Sequence, residues 1–392
     1  MTPEGALIGS LPPVPVATPW WQDIEPVIEA VRAHHGVEIT VLRLLQGAEP
    51  APPGGEVTYL AETGAMAATE PWDGVLTEHP LRLAYARPGG PARDLAWAVD
   101  ALAREGLAID AAPIQVRTWN LSSLWRLGAG GRTFWLKVTP PFMAYEGAVL
   151  EALAGAPVPS LIAHDGARIL MPEIPGEDCY EARGPILFRM IDLFVGLQSR
   201  WVGRTDALLA LGVNDWRTRS LVAAIEATFE RNADDLGAPD RDTLSRFLGA
   251  LGERFEAVAA CGLPDTLVHG DFSPGNLRSD GEALTLIDWG DSGVGHPLLD
   301  QSAFLGRVPA EDVPELKGHW HEAWRRVAPG SDPARASDLL APVGLLRQAV
   351  VFQGFLDGIE PSERPYHGAD PADRLSRAAD LIRYEARGRS FA

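Results

Sequence analysis

The feature that most constrains the fold is a change of rhythm after Asp110. Three strand-like runs follow in tandem: Ile114-Gln-Val-Arg-Thr-Trp119, Ser123-Leu-Trp-Arg-Leu127 and Thr133-Phe-Trp-Leu-Lys-Val138. The turns between them are short, Asn120-Leu-Ser122 and Gly128-Ala-Gly-Gly-Arg132. Glycines suit the second turn because they take positive φ without a Cβ clash. A helix is expected across Tyr145–Leu153, and a further strand over Ala167–Met171 that breaks at Pro172 and turns through Pro175-Gly176. Beyond that point the apolar spacing is helical, over Ile186–Ser199, Leu221–Asn232, Arg241–Ala260, Pro314–Val327, Ala336–Phe355 and Pro371–Arg389. A block of hairpins followed by a run of helices is an α+β arrangement. The expected division is a β-rich small lobe over 111–175, a connector near Glu173–Gly176, and a mainly helical lobe over 176–392.

Residues 1–110 read as a separate small α/β module. Trp20 to Ala33 suits a helix, and Glu38–Leu45 and Glu56–Ala61 suit two strands joined by the Pro/Gly loop Gly47–Gly55. Leu81–Tyr85 is a third strand candidate, and Pro91–Glu105 a helix that tolerates proline in its first turn. Trp20, Trp21 and Trp72 are read as core or interface residues, with a ligand surface as the competing reading. No clustered nucleophile, metal set or phosphate loop accompanies them, so the role of this module stays open.

Composition narrows the function classes. A formal charge of −19 argues against a nucleic-acid partner. Apolar residues at 46% allow a sizeable core. The two cysteines, Cys179 and Cys261, are far apart and suggest neither a disulfide framework nor a metal motif, which fits a reducing compartment. The first residues lack a basic region followed by an apolar core, and the most apolar stretch, near Leu339–Val351, carries Arg347 and Gln348. No membrane association and a cytoplasmic location are therefore expected. Oligomeric state is not legible.

The chemistry is concentrated in Leu267-Val-His-Gly-Asp-Phe-Ser-Pro-Gly-Asn-Leu277 and Leu284-Thr-Leu-Ile-Asp-Trp-Gly-Asp291. One short loop thus holds His269, Asp271 and Asn276, and a mostly apolar run then delivers Asp288. Phosphoryl transfer requires positioning and charge neutralisation more than covalent work by the protein. Asp271, at a sharp Gly270 turn, can orient an acceptor hydroxyl and receive its proton. Asn276 offers a neutral amide oxygen and Asp288 a full carboxylate, hard ligands of the kind Mg²⁺ takes. His269 is read as a hydrogen-bonding scaffold, with hydrolysis using His269 as base as the competing reading. Upstream, Lys137 sits on an aromatic-apolar strand where its ammonium can reach the α/β-phosphates of a nucleotide. Glu146, at the start of the next helix, is its expected ion-pair partner, with Glu151 as the rival. The Gly358–Gly368 segment is expected to be a surface loop, and Trp289, Asp291, Asp357, Glu360 and Tyr366 are candidate substrate-surface residues.

Over roughly residues 112–390 this motif set resembles the aminoglycoside phosphotransferase/choline kinase-like family. The resemblance rests on His269-Gly270-Asp271-Phe-Ser-Pro-Gly-Asn276 and Ile287-Asp288-Trp289. It implies a bilobal protein-kinase-like fold, with Asp271 as the catalytic base or hydroxyl-positioning group and Asn276 and Asp288 on the metal. It further implies that Lys137 and Glu146 position the nucleotide and that Met171-Pro-Glu-Ile-Pro-Gly176 is the hinge, backbone groups near Glu173 and Ile174 meeting the purine. Two departures stand out. The nucleotide-covering turn has no glycine, leaving Ser122 and Ser123 to supply contacts, and Gly295-His296-Pro297 replaces the usual Gly-Asp-Pro, with Asp300 retained. The resemblance implies ATP, or alternatively GTP, with Mg²⁺, and phosphoryl transfer to a hydroxyl of an aminoglycoside, amino alcohol, sugar or related metabolite. A degenerate kinase fold that only binds nucleotide, and a kinase acting on proteins, are the alternatives.

Overall fold

The computed structural model describes residues 1–65 and 68–387, which form two compact units. The first comprises Met1–Gly147, Ser160–Glu173 and Phe355–Gly368; the second comprises Ala148–Pro159, Ile174–Gly354 and the chain from Ala369 onward.

In the first unit, the tandem strands form an antiparallel sheet in which Ile114–Trp119, Ser122–Ala129, Arg132–Val138, Arg168–Pro172 and Ala163–Asp165 lie side by side in that order. Burial alternates strictly along Ser122–Ala129, as expected of a strand with one face on a core. That core gathers Trp125, Leu127, Phe134, Leu136, Val138 and Leu170 against Ala98, Ala101 and Leu102 of the helix Gly90–Arg104. The open edge of Ile114–Trp119 is covered by backbone bonds from Ile24 to Val116 (3.0 Å) and from Thr118 to Gln22 (3.2 Å), which removes an edge that could pair with another chain. The two strands Thr40–Gly47 and Val57–Glu62 pair as a hairpin, and the helix before them runs over Glu25–His35.

Two expectations fail in this unit. Leu81–Tyr85 is no strand: Arg82 N–H bonds the His79 carbonyl, Ala86 N–H bonds Leu83, and a single 3₁₀ turn spans Ala84–Ala86. Its alternating pattern arose because Leu83 and Tyr85 both enter the core while Arg82 turns to a buried carboxylate, Glu360 (2.9 Å). Gly358–Gly368 is no surface loop either. It forms a 3₁₀ helix, Pro361–Tyr366, with Glu360, Glu363, Tyr366 and His367 buried. Tyr366 packs edge-on against Trp21 (6.0 Å) and Trp119 (5.6 Å). Leu44 N–H donates to Glu363 (2.9 Å), and Arg43 lies 3.5 Å from Glu360. Glu360 and Tyr366 are therefore structural and not substrate-surface residues. Trp21 is likewise core, while Trp20 is about half exposed.

The second unit is mainly helical. Its larger helices are Pro185–Ser199, Thr218–Asn232, Ala238–Gly249, Leu251–Ala259, Val313–Val327, most of Pro333–Gly358, and Asp370–Ala386. The single helix expected over Arg241–Ala260 is two, because Ala250 N–H closes on Phe247 in a tight final turn. The last helix ends at Ala386, and the Gly388 and Arg389 expected within it lie outside the described residues. Phe194, Phe272 and Phe304 stack in sequence (4.2 and 5.0 Å between centroids), with Trp320 edge-on to all three. One helix, Pro333–Gly358, is long and apolar enough to cross a membrane by length and composition, yet its Arg347 is fully buried and bonded to the protein.

Candidate active site

The loop that carries the motif begins where the short strand Thr266–Val268 ends. That strand pairs with Gly293–Gly295, and Gln198 from the helix Pro185–Ser199 donates to the Leu267 and Pro297 carbonyls (both 3.0 Å). Gly270 then turns the chain at φ +96°, where any Cβ would collide with the Asp291 carbonyl; only glycine fits this approach. Phe272, next to Asp271, plugs into the aromatic stack and so ties the loop to the core.

Asp300 is the hub beneath the loop. Fully buried, it accepts the backbone N–H of His269 (2.8 Å) through one oxygen and that of Gly270 (2.9 Å) through the other. Arg347, also fully buried, donates to the Gly270 carbonyl at 2.7 Å and lies 3.6 Å from Asp300. One carboxylate and one guanidinium thus hold both sides of the turn that presents Asp271. Neither residue was assigned a site role from sequence. The available signal was the one charged residue, Arg347, in the apolar stretch Leu339–Val351, since a buried charge is tolerated only with a partner.

His269 is a scaffold. It is fully buried, its Nδ1 accepts the Asp271 N–H (3.3 Å) and its Nε2 meets the Ile287 carbonyl (2.9 Å). Burial lowers its pKa, favouring the neutral ring, and both nitrogens are engaged, which argues against a role as base. Its ring tethers the Asp271 loop to the strand end that precedes Asp288.

Asn276 donates through Nδ2 to the Asp271 carbonyl (2.8 Å) and to Asp271 Oδ2 (2.9 Å). With its nitrogen used in this way, the amide's oxygen is the atom that could hold a metal. Asp288 adopts a left-handed backbone, φ +66°, the one described non-glycine residue with positive φ. Such strain in a carboxylate-bearing residue is a recurrent mark of a functional position. Burial pushes the Asp271 carboxyl up, opposed first by the Arg307 guanidinium, 3.8 Å from Oδ1, and then by His269. Trp289 is fully buried, its indole N–H bonded to Leu286 (3.0 Å), so it is core and not substrate surface. Among the described residues there is no group of three His, Cys, Asp or Glu side chains suited to a metal. One amide and one carboxylate nonetheless suit Mg²⁺, which keeps several waters and takes its remaining ligands from substrate phosphates.

In the first unit Lys137 Nζ pairs with Glu146 at 2.8 Å. Lys137 stands opposite Leu124 and Ile169 in the sheet, which fixes its side of the strand. Ser122 and Ser123 both lie on the strand beyond the turn; their hydroxyls accept the indole N–H of Trp119 (3.2 Å) and Trp125 (3.1 Å), and Ser123 is buried. Asn120, unassigned from sequence, is the fully buried residue at that turn, and its amide atoms have no hydrogen-bond partner among the described residues. The Glu173 N–H is spent on the Thr133 carbonyl (3.0 Å), and the Ile174 carbonyl accepts from Arg278 (3.2 Å). His296 Nδ1 accepts the Leu298 N–H at 3.2 Å, closing its turn as the more usual carboxylate could.

The family model described as phosphotransferase enzyme family matches residues 113–339, more than half of the 392-residue chain. The chain belongs to that family. Solved structures of the same fold include a choline/ethanolamine kinase family protein from Mesorhizobium loti, at 17% identity and TM-score 0.51, covering 74% of this chain and 94% of that one. A macrolide 2′-phosphotransferase type I matches at 15% identity and TM-score 0.51, covering 74% and 97%. The GDP complex of aminoglycoside 2′-phosphotransferase-IIIa matches at 14% identity and TM-score 0.50, covering 75% and 99%. None of the curated proteins matches the sequence. The fold is therefore protein-kinase-like, and the protein is a small-molecule phosphotransferase.

Proposed function

We propose that this phosphotransferase moves the γ-phosphoryl of ATP, with GTP as the alternative donor, to a hydroxyl of a small molecule such as an aminoglycoside, amino alcohol or sugar. The observation that carries the reading is the pairing of Asp271 with Asn276: one carboxylate oxygen is held by the amide, and the other lies 3.8 Å from the Arg307 guanidinium. In this reading the acceptor hydroxyl donates to Asp271 Oδ1. As the new O–P bond forms, the hydroxyl proton passes to that carboxylate, and the bond from the γ-phosphorus to its bridging oxygen breaks with its electron pair on the departing diphosphate. Mg²⁺, when held by Asn276 and Asp288, neutralises charge on the transferring phosphates.

Lys137, steered by Glu146, meets the α/β-phosphates. In this reading the purine meets the Glu173 carbonyl and the Ile174 N–H, hinge groups with no backbone partner among the described residues. Ser122 and Ser123 order the nucleotide-covering turn through their indole bonds, with Ser122, the less buried of the two, nearer the phosphates. The family's small soluble substrates fit a cytoplasmic enzyme that needs neither membrane nor nucleic acid.

The experiment is acceptor-dependent release of ADP (or GDP) across amino alcohols, aminoglycosides, macrolides, sugars and nucleosides, with mass spectrometry of the acceptor. One acceptor class should gain a phosphate with Mg·ATP, and Asp271→Ala should cut the rate by on the order of 1,000-fold. Tight nucleotide binding without transfer to any class would leave only a nucleotide-binding protein.

A further inference from the structure

Arg307 follows the short helix Gln301–Leu305, outside every motif read from the sequence. Its Nη2 stands 3.8 Å from Asp271 Oδ1, too far for a hydrogen bond, and its Nη1 stands 3.5 Å from the buried Ser273 hydroxyl. The Arg307 side chain is 49% exposed and that of Asp271 39%. A half-exposed pair at this separation, without a hydrogen bond, adds little to stability, so stability does not account for the placement. Among the described residues, the one hydrogen-bond contact of its five guanidinium donors is that to Ser273.

Resting on the assignment of Asp271 to the acceptor hydroxyl, the geometry continues as follows. Asn276 already donates to Oδ2, which leaves Oδ1, the oxygen that Arg307 faces, as the less engaged acceptor for the hydroxyl. The phosphorus travelling to that hydroxyl arrives within a guanidinium's reach of Arg307. Its equatorial oxygens carry the charge that is spread during transfer, next to the carboxylate of Asp271. A planar cation with open donors is suited to that oxygen array.

We propose that Arg307 is a further catalytic residue: it bonds the equatorial oxygens of the phosphoryl group in flight from the acceptor side. It makes and breaks no covalent bond and transfers no proton.

The test uses the full-length enzyme with Mg²⁺, fluorescent ADP and aluminium fluoride, a mimic of the phosphoryl in flight that does not require the acceptor to be known. Wild type should release labelled ADP far more slowly with aluminium fluoride than without. Arg307→Gln should lose that slowing by on the order of 100-fold, while its affinity for ADP alone stays unchanged. Arg307→Lys should recover part of it, and millimolar guanidinium should recover part of it in Arg307→Ala. Undiminished trapping by Arg307→Gln overturns the proposal, as does failure of wild type to trap. So does a loss that neither lysine nor guanidinium restores, because that pattern assigns Arg307 a structural task. Steady-state ATP turnover of Asp271→Ala, run alongside, separates the two assignments. If turnover survives, the role of Asp271 fails and this proposal with it; if turnover collapses while Arg307→Gln still traps, only the role of Arg307 fails.

Discussion

Arg347→Met removes the buried cation beneath the Asp271 loop while keeping most of its aliphatic volume. Two losses follow. The 2.7 Å charge-assisted bond to the Gly270 carbonyl disappears, worth about 1.5–3 kcal/mol. Asp300 also loses its only close cation among the described residues, and breaking a buried pair costs roughly 3–5 kcal/mol. Two features reduce the sum. Asp300 keeps both backbone donors, and Arg347 Nε and Nη1, buried without hydrogen-bond partners among the described residues, no longer need solvation. The net loss should be about 3 kcal/mol, near the lower edge of the range for a broken buried pair. Urea unfolding followed by tryptophan fluorescence measures it. A double cycle with Asp300→Asn should show coupling of about 1–3 kcal/mol, since the residues share Gly270. In folded enzyme, kcat should fall about 10- to 100-fold through displacement of Asp271, with nucleotide affinity unchanged. A loss below about 1 kcal/mol with kcat intact would refute the brace, because the arginine would then be an ion pair replaceable by packing alone.

Gly270→Ala should be worse for activity than for folding. It sets a Cβ against the Asp291 carbonyl at φ +96°, a strain of about 1–3 kcal/mol, and acceptor-dependent transfer should drop below detection while the protein remains folded by circular dichroism. Glu363→Gln addresses pH. Burial raises the Glu363 carboxyl from 4.5 to about 8, so the folded state retains a proton that the unfolded chain releases. Between about pH 4.5 and 8 the folded state binds more protons, and this group's contribution to stability therefore falls as pH rises, by up to about 1.4 kcal/mol per unit. Glutamine can still accept the Leu44 N–H and cannot ionise; thermal unfolding of the variant across that window should have a flatter slope, and an unchanged slope would contradict the assignment.

The tandem hairpins and most of the helices were legible because strand and helix periods survive in local sequence. Failures came where a residue's surroundings are supplied from far along the chain. Leu81–Tyr85 alternates like a strand, yet Arg82 turns away to reach Glu360, 278 positions later. Gly358–Gly368 has the prolines and charges of a surface loop, and its carboxylates are buried because Arg43, Arg82 and the Leu44 N–H await them.

By itself the sequence determined which chemical groups the proposed active site has: a carboxylate at a glycine turn, an amide and a second carboxylate at set spacing, and a lysine on a β-strand. Those spacings are local, so the backbone of one loop or one hairpin carries them. Only the tertiary structure decided how the groups are used. It engaged both nitrogens of His269, left Asp271 one open oxygen, placed Arg307 beside that oxygen and joined Arg347 and Asp300 beneath the turn. Hydrophobic period reports which face of an element turns inward, but not which distant side chain meets it there, and that meeting sets the charge and hydrogen bonding of the site.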